Sequence, residues 1–350
     1  MVLTADGLLC GPRGRGLCMA VAHRLAEPVW TAWLQAAWHR DDASRRAALV
    51  RALAAVDAGP VRTWRDPLSF LGPVDASVCA AMYWEPPQDE DLVLAEPEVA
   101  AALRPVAEAV AASPAAAWWT EPADVTEPRY TSLYDGRRPE PPALTGARTR
   151  LAAWRAETVT DERDSARDRS ADLDDLITGS WWSTPTTASP VTTTRSLPGL
   201  GAVALAWQED GLGERHAAIW PLAPARPPRV WEIDRPEAWT ALVERYPLDV
   251  THARRHDWYR ATGRDGAWRI PDWHAVAADW DAVHLTVAGY LSTATRALPL
   301  ADGAATVLAG CDPDQTWWLS DLLTATSAGP ERWHWPERPD GPEFDWRRDG

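Results

Sequence analysis

Lysine is absent from the sequence, and its absence excludes several kinds of chemistry. All 35 basic residues of the 350-residue chain are arginine. A Walker-type phosphate loop requires a lysine that reaches the phosphates. Schiff-base catalysis, including that of pyridoxal phosphate enzymes, requires a lysine amine. The sequence therefore excludes Walker-type nucleotide binding and lysine-based covalent catalysis.

Long apolar runs and several common motifs are also lacking. No segment approaches the roughly 20 apolar residues of a membrane helix. The first residues, MVLTADGLLC, lack the basic start and apolar stretch of a signal peptide. GxSxG and HExxH do not occur, and no GxGxxG follows a predicted strand. We therefore expect a cytoplasmic protein that does not enter a membrane.

Cysteine is scarce and scattered. Its four positions are Cys10, Cys18, Cys79 and Cys311, and no two of them form a CxxC pair. This spacing disfavours a closed zinc site. Isolated cysteines of intracellular proteins usually behave as small buried hydrophobes, and we expect that here.

Phenylalanine occurs twice, whereas tryptophan occurs 23 times. One interpretation is that tryptophan replaces phenylalanine in the core. The other is a cleft lined by indoles, which would suit a planar ligand or a sugar. We expect the first interpretation to apply to most of these residues.

Charge and hydrophobicity indicate a globular protein with an acidic surface. Hydrophobic residues make up 46% of the chain and charged residues 24%, which is enough to bury a core. The formal net charge is −15. Because an acidic surface repels phosphate backbones, nucleic acid is a disfavoured partner.

The first half of the chain has the apolar spacing of helices. Apolar residues recur at helical intervals between Val29 and Trp38, and again between Leu49 and Val56 after a capping pair, Asp41 and Asp42. A further helix is predicted to start near Pro97. This pattern predicts a mainly helical domain over residues 1–160, followed by a charged junction over 161–178.

The second half changes to strand-like periodicity. Strands are predicted at 202–207, 216–222, 229–233, 283–291, 306–308 and 316–319, with a turn at 210–213 between the first two and helices starting at Pro236 and Asp272. This mixture predicts an α+β domain over residues 179–325 with a mixed, largely antiparallel sheet and flanking helices. Residues 326–350 are predicted to form an irregular tail rich in Trp and Pro.

Polar residues alternate along the segment 281–290. If it is one strand, His284, Thr286 and, less regularly, Tyr290 lie on the same face. Polar groups on a central strand need partners or a ligand. They are therefore our candidate catalytic residues in a cleft wall, and the alternative is the solvated face of a one-sided sheet.

Two histidines are spaced like metal ligands. His252 and His256 are four residues apart, so a helix would place both on one face next to Asp257. Two histidines and a carboxylate can bind zinc or iron. The same spacing also occurs on ordinary helices, and we expect no metal site here.

Two further segments have a functional and a structural interpretation. The adjacent indoles Trp181 and Trp182 either close over a pocket as a lid or attach a linker to the surface. The segment 11–16, GPRGRG, is rich in glycine and arginine and either cradles an anion or forms a simple loop.

Three elements of the C-terminal half, WEIDRPEAW (231–239), PDW (271–273) and DAVHLTVAGYL (281–291), occur in this order over about 60 residues. With these elements the C-terminal half resembles an uncharacterised family of actinobacterial proteins. The resemblance implies no activity, cofactor or partner.

A fainter resemblance is to ADP-ribosyltransferase-like domains. In that family a basic residue on a first strand holds NAD, and a second strand carries Ser/Thr or Tyr. Arg229 matches the first element, and Thr286 or Tyr290 matches the second. The third element, a catalytic ExE or QxE, does not follow Tyr290, where Asp312, Asp314 and Asp321 are the acidic candidates.

Three functions stay open on this sequence, and the cofactor is unknown. The first is a non-catalytic binding or regulatory protein, of an immunity or accessory type, that binds a protein partner or a planar small molecule. The second is an NAD-using enzyme, in which Arg229 holds phosphate and Trp231, Trp181 and Trp182 stack on the ring systems. The third is a metal-dependent hydrolase.

Overall fold

The computed structural model describes residues 2–135, 138–209, 211, 213–336 and 344–350. The fold is α+β, as the sequence predicts, and its first part is mainly helical. The helices of this part are α1 (Ala5–Leu9), α2 (Pro12–Leu25), α3 (Pro28–Trp38), α4 (Ala43–Ala54), α5 (Leu71–Val78), α6 (Asp89–Ala95) and α7 (Pro97–Ala111).

Helix starts follow the capping residues that the sequence provides. Asp42 caps α4 by accepting a hydrogen bond from the Ser44 amide, and Pro97 occupies the first turn of α7. The later helices are α8 (Ala147–Asp168), α9 (Pro236–Arg245), α10 (Thr251–Thr262), α11 (Trp273–Asp279) and α12 (Val287–Thr293). In the described parts of the chain, no helix is long and apolar enough to cross a membrane.

Two larger sheets and two two-stranded sheets form the β part of the fold, as far as it is described. The strands are β1 (Arg129–Tyr134), β2 (Val191–Thr193), β3 (His216–Pro224), β4 (Val230–Ile233), β5 (Pro247–Asp249), β6 (Arg269–Pro271), β7 (Ala282–Leu285), β8 (Leu298–Pro299), β9 (Ala305–Thr306), β10 (Thr316–Trp318), β11 (Leu323–Ala325), β12 (Glu331–His334) and β13 (Arg347–Arg348). One larger sheet has the order β1-β3-β12-β13, and β11 also pairs with β3. The other larger sheet has the order β2-β10-β7-β4. Only β4 and β7 pair in parallel among these described strands.

Several predicted elements differ from the structure. Residues 202–207 contain a 3₁₀ turn (Val203–Leu205) instead of the predicted strand. Strand β3, which follows this segment, therefore pairs with β1 and not with residues 202–207. A short apolar run of this kind does not distinguish a strand from a buried turn. The predicted turn at 210–213 includes Asp210 and Leu212, which lie outside the described residues. Within 326–350, predicted to be irregular, the structure has β12 and β13.

The division of the chain into domains stays a prediction. Helix α8 extends through the first part of the predicted junction and ends at Asp168. One large cluster of buried apolar side chains includes residues from both halves of the chain, from Leu8 to Trp333.

Tryptophan is mostly a core residue, as expected. Only Trp30 and Trp38 are exposed among the 23 indoles, all of which lie in described parts of the chain. The cysteine expectation is half correct. Cys18 and Cys311 are buried, whereas Cys10 and Cys79 are exposed, and all four are free thiols.

Candidate functional site

A loop between β9 and β10, residues 310–315, joins two groups of polar side chains. On one side lies the Glu209 cluster, which consists of Tyr83, Glu209, Tyr290 and Cys311. The Tyr83 hydroxyl and the Tyr290 hydroxyl both donate to Glu209 Oε1, the latter over 2.9 Å. The Cys311 amide donates to Oε2 over 3.0 Å. Both carboxyl oxygens are therefore held by protein donors.

Burial dominates the electrostatics of the Glu209 cluster. It raises the pKa of Glu209 to about 8, against the lowering effect of the three donors. The carboxyl group is therefore mostly protonated at neutral pH. Burial also raises the pKa of the Cys311 thiol well above its usual range, and the pKa values of both tyrosines rise as well. The thiol is consequently a poor nucleophile.

On the other side of the loop lies the Arg195 cluster, which consists of Arg195, Asp314, Glu121, His284 and Glu232. Arg195 donates through Nε to Asp314 Oδ1 over 2.7 Å and through Nη1 to Glu121 Oε2 over 2.8 Å. Its backbone amide also donates to Asp314 Oδ2 over 2.7 Å. Arg195 and Asp314 are 8% and 2% exposed, so this is a buried ion pair.

Sheet register brings the histidine to this cluster. In the four-stranded sheet Glu232 of β4 lies opposite His284 of β7, which lies opposite Thr316 of β10. His284 Nδ1 is 2.9 Å from Thr316 Oγ1, while Nε2 is 3.8 Å from Asp314 Oδ1 and 4.0 Å from Glu232 Oε2. Neither His284 Nε2 nor Glu232 Oε2 has a hydrogen-bond partner in the described structure.

These groups have strongly altered proton affinities. Burial, followed by the charge of Arg195, lowers the pKa of His284 to about 3. Burial raises the pKa of Glu232 to about 7 and that of Asp314 to about 6, although Arg195 acts against both changes. At neutral pH the imidazole is therefore uncharged.

The substitution H284Q should reduce the loss of stability in acid. Because the folded-state pKa of His284 lies below its ordinary value of 6.5, the unfolded chain binds the proton first as the pH falls. The free energy of unfolding should therefore decrease between about pH 6.5 and 3, and this decrease should be smaller in H284Q. Chemical denaturation across this range measures it. The exposed His39 provides the control H39Q, and equal slopes for both variants would contradict the assignment.

A cleft of about 470 Å³ opens beside the loop. Its lining includes three aromatic residues, three acidic residues and two amides, namely Tyr130, Trp182, Trp317, Glu140, Glu209, Asp312, Gln208 and Gln315. Trp182 packs so closely on the loop that a Cβ on Gly310, whose φ is +76°, would lie 2.4 Å from its Cδ1. Among the described residues of this lining there is no arginine.

The three candidate catalytic residues lie in different environments. Strand β7 ends at Leu285, so the prediction of a strand extending to 291 is wrong. Thr286 caps α12 by accepting a hydrogen bond from the Gly289 amide, and Tyr290 lies within that helix in the Glu209 cluster. His284 is buried and belongs to the Arg195 cluster, so the alternative of a solvated sheet face is also wrong.

The candidate cofactor residues do not converge on one described cavity. Arg229 is exposed, and its Nε lies 3.5 Å from Asp281 Oδ2. Trp231 donates from its ring nitrogen to the Ala238 carbonyl over 3.1 Å. Trp181 is buried in a stack with Tyr83, whose ring centroid is 5.3 Å away. Trp182 stacks on Trp181 and lines the cleft.

Two of the three candidate metal ligands have side-chain hydrogen bonds, whereas His252 Nδ1 is buried without a partner in the described structure. His252, His256 and Asp257 all lie on α10. His256 Nε2 is 3.1 Å from the Asp172 carbonyl oxygen, and Asp257 Oδ1 accepts from Arg260 Nη2 over 2.5 Å. No group of three or more His, Cys, Asp or Glu side chains within the described ranges could hold a metal ion.

Glu209 and Arg195 were missed as site residues because their partners are far away in the sequence. Glu209 directly precedes a predicted turn and contacts Tyr83 and Tyr290, which are 126 and 81 residues away. Arg195 contacts Asp314 over a separation of 119 residues. No local pattern identifies such pairs.

No protein-family model, curated protein or solved structure matches this chain.

Proposed function

We propose that the chain is a cytoplasmic, non-catalytic binding protein whose ligand is a small organic cation held in the cleft beside residues 310–315. The observation that carries the proposal is the lining of this cleft, which combines aromatic and acidic side chains. The cavity of about 470 Å³ is in the size range of small-molecule sites.

Charge favours a cation over a nucleotide. The chain contains 35 arginines, yet none is among the described lining residues, whereas Glu140 and Asp312 contribute carboxylates and Glu209 a carboxyl group that is mostly protonated. Phosphate groups are usually bound by guanidinium or lysine side chains. NAD would therefore meet carboxyl groups in this cleft without a compensating positive charge.

Aromatic rings and a fixed loop support the same ligand class. Ammonium groups bind against the faces of Trp and Tyr, and Trp182 and Tyr130 are only partly buried at the cleft. The loop 310–315 beside the cleft is held by the Glu209 cluster on one side and by the Arg195 cluster on the other. Such a preorganised site loses little conformational entropy on binding.

The same contacts argue against catalysis. Both oxygens of Glu209 are engaged by protein donors, and the raised pKa of Cys311 keeps its thiol protonated. A general acid or nucleophile needs an atom that can reach the substrate.

Titration with choline and with spermidine, followed by calorimetry, tests the proposal. We expect saturable binding of at least one, and no binding of NAD. W182F should weaken binding roughly 3- to 30-fold, the range of a cation–π contact, and E140Q should weaken it because a carboxylate at the cleft is lost. W30F and E237Q are the matched controls, because Trp30 and Glu237 do not line the cleft.

Two results would contradict the proposal. One is the absence of saturable binding for both cations, and the other is equal weakening by the control substitutions. Release of nicotinamide from NAD would support the ADP-ribosyltransferase-like alternative instead.

A further inference from the structure

A second cavity, of about 300 Å³, lies where the start of α2 meets α6 and the segment after α12. We name it the arginine cavity, because Arg13, Arg15 and Arg296 line it together with one carboxylate, Asp91. It shares no lining residue with the cleft described above.

Arg13 forms a fixed wall of the arginine cavity. It is 1% exposed, and its guanidinium donates to Asp91, to the Ser77 carbonyl over 2.7 Å and to Thr295 Oγ1 over 3.2 Å. Its charge is thus compensated by Asp91.

The other two guanidiniums have no such compensation. Neither Arg15 nor Arg296 forms an ion pair within the described part of the chain. Arg15 Nη1 donates to the Leu9 carbonyl over 3.0 Å, and its buried Nε has no partner. Arg296 Nη1 donates to the Cys10 carbonyl over 2.9 Å. The residues that line the cavity therefore include three arginines and one carboxylate.

Like charges close together in a partly buried cavity repel one another. Burial lowers the pKa of Arg15 against the raising effects of Asp91 and Cys10, and the charges of Arg296 and Arg13 add smaller contributions in the direction of burial. The 14-residue helix α2 begins at Pro12 in the same wall and adds the positive end of its dipole. A bound anion would relieve this repulsion, and the planar guanidinium matches the oxygens of phosphate.

We propose that the arginine cavity binds a phosphate group, either free or carried by a small molecule. The segment 11–16 contributes to it as the start of a helix and not as a loop. Because this site is separate from the cleft, it can exist whether or not the cleft binds a cation.

Calorimetric titration with inorganic phosphate near neutral pH tests this site. Saturable binding is expected, with acetate binding more weakly because it carries a single charge. The double variant R15Q/R296Q should bind phosphate at least about tenfold more weakly, given the strength of hydrogen bonds to charged groups. R45Q, on the exposed face of α4, should bind like the unmodified protein.

A second variant covers the case in which the double variant does not fold. Ala95 is exposed and lines the cavity, so A95E would place a carboxylate next to the guanidiniums without removing them. We expect A95E to keep the fold and to lose phosphate binding. No saturable phosphate binding by the unmodified protein, acetate binding as tight as phosphate, or full binding by A95E would each overturn the proposal.

Discussion

Replacing Arg195 by alanine is expected to lower the free energy of unfolding by about 3–5 kcal/mol, as for other broken buried ion pairs. The substitution leaves the carboxyl group of Asp314, which is 2% exposed, without its guanidinium partner. It also removes the hydrogen bonds to Glu121 and to the Pro122 carbonyl. Denaturation with urea at neutral pH measures the loss.

Three further variants separate the buried pair from general effects. D314N keeps an acceptor for the Arg195 amide, and asparagine tolerates the left-handed backbone, φ +62°, at this position. The free energy of unfolding should therefore fall less in D314N than in R195A. The double variant R195M/D314N should recover much of the stability, because it removes both charges and keeps an acceptor for the backbone amide of residue 195. R40A breaks an exposed ion pair with Asp89, so its free energy of unfolding should fall by at most about 1 kcal/mol. A loss in R195A no larger than in R40A would contradict this account.

The substitution E209Q is expected to stabilise the protein in alkaline solution. The folded-state pKa of Glu209 is raised from 4.5 to about 8, so the unfolded chain gives up this proton first as the pH rises. Stability should therefore fall between about pH 4.5 and 8 in the unmodified protein. The loss should be on the order of 5 kcal/mol, since a tenfold change in proton affinity is worth about 1.4 kcal/mol.

Glutamine resembles the protonated carboxyl group and should keep the Glu209 cluster intact. Its amide oxygen can accept from the Cys311 amide, and its amide nitrogen can donate to the tyrosine oxygens. Denaturation over this pH range should give a flatter profile for E209Q than for E237Q, whose site is exposed. The account fails if both variants retain the slope of the unmodified protein.

Local signals were sufficient for several helices and for the fold class. Asp42 and Pro97 begin α4 and α7 as predicted, and Pro236 begins α9. In each case the start of the helix depends on residues within a few positions of it. The segment after His284 was misread, because Thr286 satisfies both a strand alternation and a helix cap.

The candidate site was less predictable, because it depends on pairings across the chain. The sequence identified His284 and Tyr290 as polar residues in need of partners, and both are buried. It could not indicate that one belongs to the Arg195 cluster and the other to the Glu209 cluster. That separation follows from the end of β7 at Leu285, which turns the next residues into a helix.

The order of strands around β3 has a consequence for folding during synthesis. Strand β3 pairs with β1, made about 80 residues earlier, and with β12, made about 110 residues later. A ribosome must therefore translate beyond residue 334 before both edges of β3 are covered. Until then, one edge of a largely apolar strand is available to other chains. We expect nascent chains that stall before β12 to depend on chaperones far more than completed ones.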